Sequence, residues 1–224
     1  MTISPLDTVE IETAPNPTVA VIWLHGLGAD GNDFVPIVRE LDLTGCPPIR
    51  FVFPHAPTMP VTINNGYVMR AWYDILGTDL VKREDEGGLR KSQQAVEDLI
   101  EQQKALGIPA SRIVLAGFSQ GCAMTLQTGL RYPQKLAGLL CLSGYLPLSG
   151  AFPSERHPAN HETPIFLAHG RSDPVIPIDR AEQSRDLLIA NGYRVSWHPY
   201  VMQHSVCAEE IGDIGRWLKT VLAD

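Results

Sequence analysis

One strand–turn–helix stretch near the middle of the chain constrains the fold more than any other. Four apolar residues, 113–116, predict a buried strand, and the apolar positions within 123–130 recur at helical spacing. Between them lies a Gly-x-Ser-x-Gly turn, in which Gly117 and Gly121 flank Ser119. This order is the setting of a nucleophile elbow, whose small flanking residues let strand and helix approach closely. A Gly/Ser loop in a helical protein is the alternative, but the flanking strand and helix favour the elbow.

Strands and helices alternate along the rest of the chain. This alternation predicts an α/β fold with a mostly parallel, doubly wound sheet, and nothing in residues 1–224 suggests a second domain. The predicted strands are 9–11, 19–24, 49–53, 113–116, 136–142, 164–168 and 193–201, and the predicted helices beside the elbow helix are 32–41, 89–106, 179–191 and 208–222.

Composition and charge exclude several classes of function. The 224 residues are 44% hydrophobic and 19% charged, which is the balance of a soluble globular protein. The net charge of −7 argues against nucleic acid as a partner, because phosphates require a basic face. It also argues against electrostatic docking on anionic lipid.

Three sequence features favour a cytoplasmic location. The first ten residues carry neither the basic region nor the apolar core of a signal peptide. The most apolar stretch, 136–148, is interrupted by Gly138, Gly144 and Pro147, so we expect no stable membrane insertion. The four cysteines form no CxxC pair, which favours free thiols in a reducing compartment.

A literal GxGxxG segment follows the strand predicted at 19–24. It runs from Gly26 to Gly31 and would be read alone as a dinucleotide-binding loop. That fingerprint also requires an acidic residue at the end of the next strand, but residues 54–57 read Pro-His-Ala-Pro. We therefore favour the other interpretation, in which His25–Gly28 forms a loop that donates a backbone N–H to an oxyanion hole.

In residues 54–88, apolar residues recur at neither helical nor strand spacing over any long stretch, and this predicts a long irregular loop. Its aromatic residues argue against disorder. We expect this loop to form the rim and partial lid of a cleft, with Trp72 either as a wall residue or as an anchor of the loop.

A serine hydroxyl needs a base, and the base needs a carboxylate that orients it. In this architecture the partners follow the serine in the order acid, then histidine, on loops at strand ends. His204 follows the last strand on a loop, whereas His198 lies within the strand, so His204 is the predicted base. Asp173 leaves the preceding strand and is the predicted acid, since Asp179 is explained as a helix cap.

The same reasoning predicts how an oxyanion is held and what the site lacks. Backbone N–H groups of Leu27 and Gln120 are the predicted donors to a tetrahedral intermediate. His157 and His161 have the spacing of a helical metal pair, but Pro158 indicates a solvated loop, so no metal site is expected. Cys122 and Cys207 lie near the predicted site and are read as small packing residues.

Together these motifs resemble the phospholipase/carboxylesterase family of small α/β-hydrolases, which includes bacterial carboxylesterases and acyl-protein thioesterases. The resemblance implies a hydrolase without a cap domain, the triad Ser119, Asp173 and His204, no metal or cofactor, and often a weak dimer. It also implies that the acyl chain lies near Ile63, Trp72 and Leu76. The motifs are His25–Gly28, Ala71–Asp74, Gly117–Gly121, His169–Val175 and His204–Glu210.

Two residues depart from the pattern of that family. Members commonly have glycine before the catalytic histidine and glycine after the second glycine of the elbow, where this chain has Gln203 and Cys122. Gln203 places a bulkier polar side chain beside the base, on the side of the leaving group. Cys122 is expected to tighten the packing of the elbow.

The sequence therefore predicts a serine carboxylesterase that acts on short- to medium-chain acyl esters through an acyl-enzyme. The substrate is expected to be a small acyl ester or thioester, lysophospholipids included. Acyl-protein thioesterase activity is the first alternative. A peptidase or acyltransferase, a non-catalytic binding module and a dinucleotide-dependent oxidoreductase are the others.

Overall fold

A seven-stranded sheet forms the centre of the computed structural model, which describes residues 6–77 and 84–223. Its strand order is β1-β3-β2-β6-β7-β8-β9, and a separate hairpin is formed by β4 and β5. The strands are β1 (Thr8–Glu12), β2 (Val19–Leu24), β3 (Ile49–Pro54), β4 (Thr58–Val61), β5 (Tyr67–Arg70), β6 (Ile113–Phe118), β7 (Gly138–Leu142), β8 (Ile165–Gly170) and β9 (Val195–Tyr200). The α-helices are α1 (Ile37–Glu40), α2 (Glu86–Ala105), α3 (Gln120–Gly129), α4 (Phe152–Glu155), α5 (Ile178–Ala190) and α6 (Ala208–Val221).

Every neighbouring pair in the large sheet is parallel except β1 with β3, which is antiparallel. Alternate residues of β2 enter two separate cores because side chains alternate across a strand. Ile22 and Leu24 pack with residues of α2 and α3 on one face. Val21 and Trp23 pack with residues of α1 and α6 on the other. Both faces are covered by helices, which explains the continuous apolar run of β2 and confirms the predicted fold class.

The helix predicted at 32–41 is much shorter in the structure, where only Ile37–Glu40 is α-helical. Asp30 turns the chain before it, since its Oδ1 accepts the backbone N–H of Asn32 at 2.7 Å. Pro36 adds a second restriction, because a proline disfavours helical backbone in the residue before it. The amphipathic pattern therefore predicted correctly that part of this segment is buried, but it predicted too long a helix.

The prediction that 54–88 is irregular throughout is wrong. Strands β4 and β5 pair as an antiparallel hairpin, and α2 begins at Glu86. The hairpin turns through Asn65 and Gly66, whose φ values of 55° and 76° are left-handed. Pro60 and the short length of both strands hid the pattern. Residues 78–83 of the predicted loop lie outside the described residues.

The turn between β6 and α3 brings three backbone segments into contact. Ser119 has φ 56° and ψ −116°, a strained conformation for a residue with a side chain. A Cβ added at Gly117 would lie 2.2 Å from the carbonyl oxygen of Gly121. One added at Gly121 would lie 2.1 Å from the carbonyl oxygen of Leu24 at the end of β2. Only glycine fits at these two positions.

We expect Gly121→Ala to lower the free energy of unfolding by about 2 kcal/mol or more, because the new methyl group meets fixed backbone. Urea denaturation of the purified protein measures the loss. Gly150→Ala is the matched control, since a Cβ at Gly150 meets nothing within 4 Å. Equal stability of the two variants would contradict the close approach of β2 and α3.

Candidate active site

Three loops at the carboxyl edge of the sheet carry the predicted triad. Ser119 follows β6, Asp173 follows β8, and His204 follows β9. Parallel neighbours end at the same edge of a sheet, so residues distant in sequence meet there. The structure brings these three side chains into one hydrogen-bonded line.

The line has the geometry that nucleophilic catalysis requires. The Ser119 hydroxyl donates to Nε2 of His204, with 2.9 Å between the two atoms. The Nδ1–H of His204 donates to Oδ2 of Asp173 at 2.6 Å. This tautomer leaves Nε2 free to accept the serine proton. Ser119 is 9% exposed, so its hydroxyl lies at the bottom of an opening rather than on the surface.

The carboxylate of Asp173 is held by its own loop. Its Oδ1 accepts the backbone N–H groups of Val175 at 2.8 Å and Ile176 at 2.9 Å. The fully buried His169 donates from Nε2 to the carbonyl oxygen of Ile176 at 2.8 Å. Burial lowers the pKa of His169, which keeps this imidazole neutral beside the triad. Oδ2 of Asp173 is thereby aimed at His204.

The loops of the acid and the base are joined through their backbones. The N–H of Arg171 donates to the carbonyl of Tyr200 at 2.8 Å, and that of Ser172 to Met202 at 3.1 Å. A Cβ at Gly170 would lie 2.3 Å from the carbonyl oxygen of Gln203. The two loops therefore form one packed unit.

The alternative base, His198, lies elsewhere. Its ring stacks on Phe166 with 4.2 Å between the ring centroids, and its Nε2 lies 2.6 Å from Oγ of Ser196. The ring of His204 instead contacts Phe118 at 4.8 Å, next to the serine. Strand geometry commits His198 to one sheet face, as the sequence reasoning anticipated.

The two predicted oxyanion donors both line the opening above Ser119. Within residues 6–77 and 84–223, neither the N–H of Leu27 nor that of Gln120 has a protein acceptor. The N–H of Gln120 lies in the first turn of α3, where the helix dipole favours negative charge. These two donors are available to an oxyanion.

His25 holds the loop that carries Leu27. Its Nδ1–H donates to the carbonyl oxygen of Gly26 at 2.7 Å, and its Nε2 accepts the N–H of Ala56 at 3.0 Å. Burial lowers the pKa of His25, and a neutral ring is the form that can accept from Ala56. The fold thus uses His25 to position the loop that carries Leu27, one of the two predicted oxyanion donors.

Trp72 anchors its loop and does not line the cleft. It is fully buried, and its Nε1 donates to the carbonyl oxygen of His25 at 2.9 Å. The side chain of Gln120 completes the anchor: Oε1 accepts the N–H of Trp72, and Nε2 donates to the carbonyl of Tyr73, both at 2.8 Å. Of the two interpretations left open for Trp72, the anchor agrees with this geometry. Sequence reasoning missed the side-chain role of Gln120.

A cleft of about 310 Å³ opens at Ser119 and is lined mainly by apolar side chains. Ile63 lines it as expected, whereas Leu76 lies on a separate small cavity on the other side of Tyr73. Five further lining residues were not among the predicted substrate-binding residues. They are Tyr73, Ile75, Tyr145, Val175 and Ile176.

The residues that depart from the family pattern occupy different environments. Cys122 is fully buried under the elbow, and a Cβ at Gly144 would lie 2.5 Å from its Sγ. Gln203 is exposed beside His204. Cys207 is half-buried at the start of α6. The packing interpretation of Cys122 agrees with its position.

The described residues contain neither a cluster of metal-ligating side chains nor a membrane-spanning helix. No group of three or more His, Cys, Asp or Glu side chains in 6–77 and 84–223 could hold a metal ion. No helix in the same residues is long and apolar enough to cross a membrane. His157 accepts the N–H of Ala159 within a short 3₁₀ turn.

The sequence profile of the phospholipase/carboxylesterase family matches residues 7–222. The chain belongs to this family. It is 40% identical over 220 residues to acyl-protein thioesterase 1 of Yarrowia lipolytica, covering 96% of this chain and 97% of that protein. It is 44% identical to acyl-protein thioesterase 1 of Neurospora crassa, covering 90% and 86%. The resemblance read from the motifs is confirmed, and the family is one of hydrolases.

Solved structures share this fold. The crystal structure of Zea mays acyl-protein thioesterase 2 has a TM-score of 0.85 at 28% identity and covers 97% of this chain and 100% of its own. A Bacillus cereus carboxylesterase has a TM-score of 0.78 at 18% identity, covering 97% and 95%, and at this identity the likeness shows the fold alone.

A buried carboxyl group with little hydrogen bonding lies in the first turn of α6. Glu210 is fully buried there, and the backbone N–H of Cys207 lies near its carboxyl group, but within the described residues neither carboxyl oxygen has a well-formed hydrogen bond. Burial raises the pKa of Glu210 from 4.5 to about 8. The native protein therefore holds this group protonated at neutral pH.

This burial predicts a pH dependence of stability. Between about pH 4.5 and 8 the unfolded chain has ionised Glu210 and the native chain has not, so stability falls as pH rises. Glu210→Gln keeps a neutral group of the same shape and removes this loss. We expect the variant to match wild type near pH 4.5 and to exceed it by on the order of 5 kcal/mol above pH 8.

Chemical denaturation at several pH values measures the difference in free energy of unfolding. Glu209→Gln is the control, because Glu209 is the exposed neighbour on the same helix turn. A pH-independent difference between wild type and Glu210→Gln would contradict a protonated Glu210.

Proposed function

We propose that this protein is a serine hydrolase that cleaves acyl thioesters, of the kind formed on protein cysteines, and also acyl esters. The observation that carries the proposal is the line from Ser119 through His204 to Asp173, which opens on a largely apolar cleft. The curated relatives above are named acyl-protein thioesterases. They support the thioesterase alternative better than the carboxylesterase first predicted from the sequence.

The first half of the reaction forms an acyl-enzyme. His204 takes the proton of Ser119 as Oγ attacks the acyl carbonyl. The negative charge that develops on the carbonyl oxygen is stabilised by the N–H groups of Leu27 and Gln120. Asp173 stabilises the imidazolium and keeps the ring oriented. His204 then protonates the sulfur or oxygen that leaves.

The second half repeats these steps with water. His204 takes a proton from the water as it attacks the acyl-enzyme, and Ser119 leaves with that proton. A thiol ionises near pH 8.5, far below an alcohol. The sulfur of a thioester therefore depends less on a proton from His204 when the bond to the acyl carbon breaks. Thioesters are therefore expected to acylate Ser119 faster than alkyl esters with the same acyl group.

We expect Ser119→Ala to lower kcat by at least about a thousandfold on both a p-nitrophenyl ester and an acyl thioester of the same chain length. The release of p-nitrophenol and of free thiol measures the two reactions. Ser111→Ala is the control, since Ser111 is exposed in the short 3₁₀ turn that precedes β6. Equal turnover by Ser119→Ala and wild type would exclude the elbow serine as nucleophile.

The two histidine candidates give a second test. His204→Ala removes the only imidazole that contacts Ser119 among the described residues, and we expect kcat to fall by at least about a thousandfold. His198→Ala is expected to keep kcat near the wild-type value, because His198 packs on Phe166 away from the serine. The reverse result would assign the base to His198.

An inactive wild type with an intact fold would favour the binding module. Amide hydrolysis or acyl transfer to an added alcohol at rates above ester hydrolysis would favour a peptidase or an acyltransferase. Both outcomes are read from the same purified protein and the same set of acyl donors.

A further inference from the structure

Tyr145 occupies a position between the elbow and α5. It follows Gly144, which passes so close to the elbow that a Cβ there would lie 2.8 Å from the carbonyl oxygen of Ser119. The side chain of Tyr145 is 6% exposed. Its ring therefore belongs to the interior wall of the cleft, near the reacting centre.

Tyr145 separates two spaces. On one side lies the cleft of about 310 Å³ that opens at Ser119. On the other lies a cavity of about 100 Å³, lined by Tyr145 itself and by Leu146, Arg180, Ser184 and Leu187 among others. Tyr145 is the residue that both linings share. Removing its ring would join the two spaces.

The ring is held firmly in this position. The hydroxyl groups of Tyr145 and Tyr73 lie 3.0 Å apart and share a hydrogen bond. The guanidinium carbon of Arg180 stands 5.8 Å from the ring centroid of Tyr145, on the side of the second cavity. Burial raises the pKa of Tyr145 to about 12, so the hydroxyl stays neutral. These contacts hold the ring of Tyr145 in one orientation.

The neighbouring wall residue does not have this property. The small cavity on the side of Glu84, which Tyr73 and Tyr145 both line, holds only about 10 Å³, which is at the limit for one water molecule. Loss of the Tyr73 ring would therefore free the volume of the ring itself but would connect the cleft to almost no further space. Of the two tyrosines that line the cleft, only Tyr145 also borders a cavity large enough for several carbon atoms, the one of about 100 Å³.

We infer that Tyr145 is the specificity-determining residue that limits the size of the acyl group this enzyme accepts. The inference rests on the proposed function, since it assumes that the acyl group occupies the cleft beside Ser119. Acyl groups that fill the cleft meet the phenol ring and stop there. Without the ring, carbons beyond that point enter the cavity beside Arg180 and Leu187.

The test compares wild type with Tyr145→Ala on p-nitrophenyl esters of linear acyl chains from acetyl to palmitoyl. We expect the chain length with the highest kcat/KM to increase by roughly two carbons or more in the variant. Each methylene that gains a buried position is expected to raise kcat/KM by about fourfold relative to wild type. For esters shorter than the wild-type optimum, kcat/KM is expected not to increase in the variant.

Two further variants separate loss of the wall from loss of the hydroxyl. Tyr145→Phe keeps the ring and removes the contact with Tyr73, so its optimal chain length stays that of wild type whatever its rate. In the double variant Tyr145→Ala/Leu187→Phe, the second cavity is refilled from α5, and the optimum returns toward wild type. Tyr145→Leu shortens the wall less and replaces Tyr145→Ala if that variant fails to fold.

The outcomes distinguish this inference from the proposed function. If wild type cleaves neither esters nor thioesters, the proposed function fails. If wild type is active and folded Tyr145→Ala or Tyr145→Leu keeps the wild-type chain-length profile, only the role of Tyr145 is overturned. A shift that also occurs in Tyr145→Phe, or that persists after the refilling substitution, likewise overturns it.

Discussion

The structure depends on one close approach, between the end of β2, the end of β6 and the start of α3. Gly117 and Gly121 permit it, and Ser119 occupies the strained turn that results. Because the turn is anchored in the most buried strands, the serine hydroxyl has little freedom to move. The cost of that strained backbone is offset by burial on both faces of the sheet, and the turn holds the Ser119 hydroxyl in one position.

A second constraint links the parts of the site that lie far apart in sequence. Trp72 donates to the oxyanion loop through His25, and the carboxamide of Gln120 clamps Trp72 and Tyr73 to the elbow. One buried hydrogen-bond network thus links the elbow of Ser119, the loop that carries Leu27 and the wall of the cleft at Tyr73. Networks of this kind specify a single arrangement because each unpaired member would be costly.

The sequence predicted the sheet, the order of its elements and the residues that meet at its carboxyl edge, because these follow from apolar runs and from residues at strand ends. It did not predict the hairpin of β4 and β5, whose strands are short and exposed. It also missed the side chain of Gln120 and the wall formed by Tyr145. Contacts between a side chain and a distant backbone, or between two cavities, leave no periodic pattern. Such features are visible only in the folded structure.

The packing of the acid loop on the base loop has a consequence for how members of this family can diverge. Gly170 leaves no room for a Cβ against the carbonyl of Gln203, and two backbone hydrogen bonds join the same loops. A substitution or insertion in one loop therefore displaces the other. The positions of Asp173 and His204 therefore depend on each other through the backbone of their two loops, although 31 positions separate the two residues in the chain.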